Sequence, residues 1–194
     1  VTDNGELWTW GSGDSGALGH NDTVDRSSPT QVGALTNWLK VVPSEESGCI
    51  GIKTDGTLWG WGSNFRGAVG DNTRIDRSSP VQIGSETDWA DCARDNSSGG
   101  SVYAIKTDGS LYVWGTNDLG ELGTNDLDPR SSPVQIASDV EWSSVTGGTY
   151  GALAIDTSNG LWATGGFNSK GELGLGNRAR RSSPVQVGAL TNWN

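Results

Sequence analysis

The chain has no methionine, a single histidine, two cysteines and two phenylalanines among its 194 residues. With His20 alone, a Ser-His-Asp or Cys-His arrangement has one candidate base, and its loop offers no nucleophile at fixed spacing. Two cysteines without a C-x-x-C pair exclude a disulfide scaffold and the common zinc and redox motifs. No apolar run approaches the roughly 20 residues needed to span a bilayer as a helix. No stretch carries a 3.6-residue period long enough for an amphipathic helix. Nothing at the start resembles a secretory leader, and a chain beginning with Val1 is expected to have been processed, trimmed or taken from a longer one. Positive charge is scarce too: 13 Lys and Arg stand against 23 Asp and Glu, for a net charge of -10. Binding to DNA, RNA or an anionic membrane needs a basic face, so neither nucleic acid nor membrane is expected as the main partner.

What is abundant is glycine, at 30 positions, and tryptophan, at ten. Both recur in register. The Arg of an Arg-Ser-Ser-Pro stretch stands at Arg26, Arg77, Arg130 and Arg181, with spacings of 51, 53 and 51. The Trp that follows stands at Trp38, Trp89, Trp142 and Trp193, with the same spacings. The G-x-x-G pairs starting at Gly16, Gly67, Gly120 and Gly171 repeat them a third time. Each unit reads as a hairpin such as "GIKTDGTLWGWG", with Asp55-Gly56 as a two-residue turn, then G-x-x-G, a variable loop, R-S-S-P, a short "VQI" strand and a strand opening on Trp. Three to four short strands per period of about 50 predict an all-β chain built as a β-propeller of about 51-residue blades. Residues 1–194 divide approximately into units 1–38, 39–89, 90–142 and 143–194, with the chain boundaries in mid-blade.

The tryptophans fall in three columns. Trp8, Trp59 and Trp162 share one with Tyr112; Trp10, Trp61 and Trp114 share another with Thr164; the four already named fill the third. None is left over for a sugar-stacking platform, so all are expected to pack between blades. Cys49 and Cys92 share columns with Val and Ala and are expected to be small buried hydrophobes. In R-S-S-P, the Pro suits the first position of an edge strand and the Ser hydroxyls suit bonds to backbone in a turn. Arg26, Arg77, Arg130 and Arg181 are expected to hold a carbonyl, carboxylate or Trp face of the next blade. A Ser-Pro phosphorylation site is the functional alternative.

The stretch "GTLWGWGSNFRGAVGDNTRIDRSSPVQI" resembles the repeat of the regulator-of-chromosome-condensation family, in which a hairpin leads into W-G-x-N-x-x-G-x-L-G and then a Pro-x-x-Val/Ile strand. The resemblance covers essentially the whole chain. It implies a propeller, commonly of seven blades and without catalytic chemistry of its own, so that four units form an arc of a larger ring. The W-x-W-G and S-S-P-V-Q wording looks most like bacterial and bacteriophage members. Family members include nucleotide-exchange factors for a small GTPase, β-lactamase inhibitors, a plant UV-B photoreceptor and secreted or virion components. The photoreceptor's G-W-R-H-T and the exchange factor's basic segment have no counterpart here, and the usual G-x-x-H-[TS] reads "SGCIGI", "GGSVYAI" and "GTYGALAI". The strand of residues 39–52 occurs three times while the other columns occur four times, so the ends are expected to meet more of the same chain or another copy.

Function on such a frame is expected in the loops. Asn125, Asp126 and Asp128 are candidate calcium ligands, although their spacing does not match the twelve-residue calcium loop. Asn21-Asp22-Thr23 and Asn96-Ser97-Ser98 match the glycosylation pattern. The six-residue loops before the R-S-S-P Arg carry charges of -2, -1, -2 and +2, and the reversal marks Arg178 and Arg180, with Phe65 and Arg66, as candidate contact residues. The expected function is a non-enzymatic scaffold that presents loops to a protein partner or to other copies, without cofactor or metal, in a bacterial, secreted or virion assembly, where it would serve in structure or attachment. An extracellular or virion-surface location is favoured over a cytoplasmic one. The alternatives are a regulator of an enzyme and a glycan-binding module.

Overall fold

The computed structural model describes residues 1–44, 48–96 and 99–193. Ser97 and Ser98 of the second glycosylation pattern, and the centre of the "PSEESG" loop, lie outside the described residues. All regular structure in the described residues is β except a single 3-10 turn, Asp14–Gly16. The strands are β1 (Trp8–Gly11), β2 (Arg26–Gln31), β3 (Trp38–Pro43), β4 (Gly48–Lys53), β5 (Leu58–Gly62), β6 (Arg77–Gln82), β7 (Trp89–Arg94), β8 (Ser101–Lys106), β9 (Leu111–Gly115), β10 (Arg130–Ile136), β11 (Trp142–Gly147), β12 (Ala152–Asp156), β13 (Leu161–Ala163) and β14 (Val185–Gln186).

They form four antiparallel meanders, β1-β2, β3-β4-β5-β6, β7-β8-β9-β10 and β11-β12-β13-β14, which follow one another as an open propeller arc. Three apolar cores lie between successive sheets rather than inside any one of them. Ile50, Leu58 and Ala68 of the second unit, for example, pack with Trp89, Cys92 and Trp114 of the third. A single four-stranded sheet cannot bury both of its faces, so each unit depends on its neighbours for its core.

The hairpin turns set the register. In each of the four units the loop has three residues, not two. The Gly56 N–H donates to the Lys53 carbonyl, and the Lys53 N–H and Thr57 carbonyl close the hairpin. The third loop residue has positive φ in every unit: Gly5, Gly56, Gly109 and, in the fourth, Asn159. A type I turn followed by a left-handed residue gives this geometry, and glycine or asparagine adopts it at low cost. The same turn then clips the next unit: the carbonyls of Gly5, Gly56 and Gly109 accept the backbone N–H groups of Trp38, Trp89 and Trp142.

Those three Trp residues are buried, and each meets the neighbouring aromatic column edge-on: Trp38 with Trp59 at 6.2 Å, Trp89 with Tyr112 at 5.3 Å and Trp142 with Trp162 at 5.6 Å. Trp61 and Trp114 are fully buried, and each donates its indole N–H at 3.0 Å to the unit before it, at the carbonyls of Ala17 and Ala68. Inter-blade packing does not extend to the whole set. Trp8, Trp10 and Trp193 are exposed.

Thr164 shows how the column tolerates a loss. It replaces the indole with a hydroxyl 3.4 Å from the Glu121 carbonyl. Tyr103 of the preceding sheet fills the space and donates its own hydroxyl to that carbonyl at 2.9 Å. Burial raises the Tyr103 pKa well above its usual value, which keeps the phenol protonated as a donor. Cys49 and Cys92 are buried thiols, pushed up by burial to about 11 and about 12, as expected of small core residues.

Candidate interaction surface

The Arg-Ser-Ser-Pro segment lies in the terminal strand of the first three sheets, where the pairing is irregular, and just before β14 in the fourth. Arg77 pairs with Gly62 and Val81 with Gly60, so Ser78, Ser79 and Pro80 form a bulge. The Pro therefore sits inside β2, β6 and β10 and not at their first position. A bulged edge strand tolerates a residue without an N–H because no ladder bond is missing there.

The first Ser acts through its main chain, not its hydroxyl. Its carbonyl accepts an N–H from the loop of the preceding unit: Asn21 to Ser78 at 2.6 Å, Asn72 to Ser131 at 2.7 Å, and Asn125 to Ser182. All three Asn residues have positive φ, which aims the N–H across the seam. The first glycine of G-x-x-G packs on the same Ser, and a Cβ on Gly16 would lie 2.3 Å from Ser78 Cα. Arg-Ser-Ser-Pro is thus a seam between units.

Its Arg closes the loop of its own unit, not the next blade. Arg26 pairs with Asp22 at 2.8 Å, Arg77 with Asp71 at 2.6 Å and Arg130 with Asp126 at 2.5 Å. The loops have constant length but place the acid at either of two positions, and Arg reaches both. In the fourth loop Asn177 stands where Asp22 and Asp126 stand, and the Arg181 guanidinium donates to the Arg180 carbonyl, at 3.2 Å. The Arg26 hydrogen bond holds Asp22 below the usual carboxylate pKa. Burial pushes Asp71 upward, but hydrogen bonds from Thr73 and Arg77 outweigh it and the carboxyl also lies low.

A buried asparagine fixes the second, third and fourth loops from beneath. Asn117 Nδ2 donates to Thr124 Oγ1, to the Asp126 carbonyl and carboxylate, and to the Asp128 carbonyl, at 3.1–3.2 Å, while Oδ1 accepts the Leu122 N–H at 3.0 Å. Asn64 and Asn168 repeat this arrangement with Val69 and Leu173. Gly13 occupies the same place in the first unit, and its N–H donates to Asp25 at 2.9 Å, as Asn64 N–H does to Asp76 at 2.7 Å. The signal was available as the second residue after Trp-Gly, glycine in the first unit and asparagine in the next two, and as Asn168 two residues after Gly165-Gly166 in the fourth.

Two of the three candidate calcium ligands are already engaged. Asp126 is bound by Arg130, Thr124 and Asn117, and Asn125 serves the seam. Among the described residues no group of three or more His, Cys, Asp or Glu could hold a metal. His20 Nε2 lies 3.0 Å from Thr9 Oγ1, and burial lowers its pKa.

With the backbone held, the loop tips differ only in side chain. Val24, Ile75 and Leu127 are exposed by 58%, 63% and 58%, one on each of the first three loops. Arg178 and Arg180 are exposed on the fourth, with Arg180 5.5 Å over the Phe167 ring. Phe65 is exposed beside Arg66, which pairs with Asp118 of the next unit at 2.9 Å. The contacts of the two candidate pairs are separate: Arg66 joins the second unit to the third, while Arg180 stays within the fourth.

The geometry agrees with known proteins. The family model of the regulator of chromosome condensation (RCC1) repeat matches residues 4–43, 55–98 and 108–155. The chain is 31% identical over 195 residues to the human E3 ubiquitin-protein ligase HERC2, covering 98% of this chain and 4% of that protein. It is 30% identical over 197 residues to the ultraviolet-B receptor UVR8 of Arabidopsis thaliana, covering 98% of this chain and 44% of the receptor. Human WBSCR16 superposes with a TM-score of 0.80 at 24% identity, over 97% of this chain and 50% of that one. Prp20p of Saccharomyces cerevisiae superposes with a TM-score of 0.77 at 18% identity, over 96% of this chain and 47% of that one. The chain thus spans half or less of the length of each of these proteins.

Proposed function

Because the chain belongs to the RCC1 repeat family, we propose that it is a non-enzymatic propeller scaffold that binds a protein partner through its loop rim. The observation that carries this reading is the row of exposed apolar tips, Val24, Ile75 and Leu127, on loops pinned by Arg-Asp contacts and, in the second and third units, by a buried Asn. Solvated loops gain nothing from apolar tips. A pinned backbone loses little conformational entropy on binding, so it favours recognition of a folded surface. Arg178 and Arg180 place positive charge at one end of this row in an otherwise acidic chain, which fits a partner acidic at that end.

Protein partners are known for relatives. Yeast Prp20p is described with its binding to Gsp1p and histones, and a second structure holds it with Kap60. Those partners belong to Prp20p; protein recognition as a class is what we carry over. An extracellular or virion-surface setting, with a role in structure or attachment, belongs to the proposal and rests on the W-x-W-G and S-S-P-V-Q wording of the repeat. Regulation of an enzyme is the alternative within the family, and a nucleotide-release assay on a small GTPase separates it from a passive scaffold.

The test is the triple variant Val24→Asp, Ile75→Asp, Leu127→Asp. It should lose a partner captured by the wild-type chain and then purified, while its unfolding midpoint changes little. Partner binding that survives all three changes would place recognition elsewhere. A hydrolase or transferase activity abolished by His20→Ala would overturn the scaffold reading.

A further inference from the structure

The seam between the first two units differs from the next seam in its charge. Lys106 lies over Trp89 between the second and third units, and two carboxylates of the second unit face it, Glu86 at 3.7 Å and Asp88 at 3.3 Å. Lys53 is the same residue one unit earlier, paired across the strands with Trp38 as Lys106 is with Trp89. There the positions of Glu86 and Asp88 are held by Leu35 and Asn37, and that of Asp71 by His20. Three acids of the second unit are thus a leucine, an amide and an imidazole in the first.

Lys53 is nonetheless only 4% exposed. Its Nζ lies 3.4 Å from the centre of the Trp59 ring and 4.8 Å from that of Trp38. Among the described residues no ion pair or hydrogen bond reaches this ammonium. Asp55 acts on it from the hairpin turn, but that carboxylate is itself bound by the Thr57 hydroxyl at 2.6 Å and the Thr57 N–H at 3.1 Å. Asn37 Oδ1 is buried and accepts no hydrogen bond. Burial lowers the Lys53 pKa, and the two ring faces offset only part of that cost.

Beside Lys53 lies a cavity of about 320 Å³, with His20, Val32 and Leu35 on one wall and Trp38, Trp59 and Pro80 on the other. Both walls belong to this chain, so the cavity is a feature of an internal seam. Small-molecule sites are commonly apolar hollows of roughly 300–1,000 Å³ with a few placed polar groups. We propose that this cavity binds a small carboxylic acid with an apolar body, its carboxylate on Lys53 Nζ and its body against Val32, Leu35 and Pro80. The occupant is specified by the next seam, where Glu86 and Asp88 show which group completes this lysine. A neutral apolar molecule leaves the buried ammonium unpaired, and a bare inorganic anion leaves the apolar walls uncovered. The loop tips Val24, Ile75 and Leu127 do not line the cavity, so the site is separate from the proposed partner surface.

Isothermal titration of the chain with 4-phenylbutanoate and with octanoate should show saturable 1:1 binding of at least one of them, and the matching amide should bind at least about tenfold more weakly. Leu35→Glu puts a carboxylate where Glu86 stands and should weaken binding by a similar factor, because Lys53 is then paired from within. Lys53→Gln should do the same, whereas Lys106→Gln should leave binding unchanged. Leu35 is half-exposed, so its exchange spares the core, and thermal unfolding checks that each variant is folded. Failure of both acids to bind would overturn the proposal. So would equal affinity for acid and amide, binding unchanged in folded Leu35→Glu, or binding lost in Lys106→Gln.

Discussion

Replacing Asn117 by Ala should destabilise the fold far more than any exchange at the loop surface that it supports. The side chain is fully buried and makes four donor contacts and one acceptor contact. The carbonyls of Asp126 and Asp128 belong to a half-buried and an exposed residue and can turn to water. The Leu122 N–H cannot, because Leu122 is buried. An orphaned buried amide costs about 1–3 kcal/mol, and the small cavity left by the missing amide group adds about 1 kcal/mol. The sum is about 2–4 kcal/mol, which for a chain of this size lowers the unfolding midpoint by about 4–16 °C. Asp126→Ala removes a half-exposed ion pair and should cost under about 1 kcal/mol. Thermal and urea unfolding of both variants gives the comparison, and hydrogen exchange at Leu122 gives the local readout. Equal losses in the two variants, or a loss below about 0.5 kcal/mol for Asn117→Ala, would refute the idea that the asparagine holds the loop.

Three further outcomes are expected. Gly67→Ala should cost more than Gly171→Ala: both take positive φ, but only the first drives a Cβ to 2.6 Å from Ser131 Cα, and urea unfolding of the pair isolates the clash. The Asp71 carboxyl lies below the usual value, so its contribution is fully present above the unfolded pKa of about 3.9 and fades as pH falls below that through the folded value; wild type should therefore lose more stability than Asp71→Asn when urea unfolding is compared between pH 6 and pH 2. Cys49 and Cys92, buried and raised to about 11 and about 12, should resist a thiol reagent at pH 8 until the chain is unfolded, and rapid native labelling of either would contradict their core placement.

The frame was legible because its markers are large or conformationally special. Tryptophan and glycine recur at spacings of 51, 53 and 51, and residues that fill a core or adopt positive φ cannot be exchanged freely. Burial was less legible, because it depends on the neighbouring unit: Trp10 and Trp61 share a column and a local sequence, yet one is exposed and the other enclosed. The Tyr103 compensation for Thr164 was invisible because the two residues belong to different sheets and meet at the Glu121 carbonyl. For Arg77 and its equivalents the ligand type was readable, while its place in the same unit was not, since the acid shifts between two loop positions. The candidate surface was legible as variable loops, but the apolar tips became a row only once the Arg-Asp pairs of the three loops were seen to close them.

The most direct measurement of the repeated frame compares Trp61→Ala with Trp10→Ala by urea unfolding at a concentration low enough to keep both chains monomeric. The residues are equivalent in sequence and differ in whether a preceding unit of the chain closes over the indole. Trp61→Ala should cost about 3–5 kcal/mol, as for a large core side chain, and Trp10→Ala less than about 1 kcal/mol. Similar losses at the two sites would contradict the assignment of the column to packing between units.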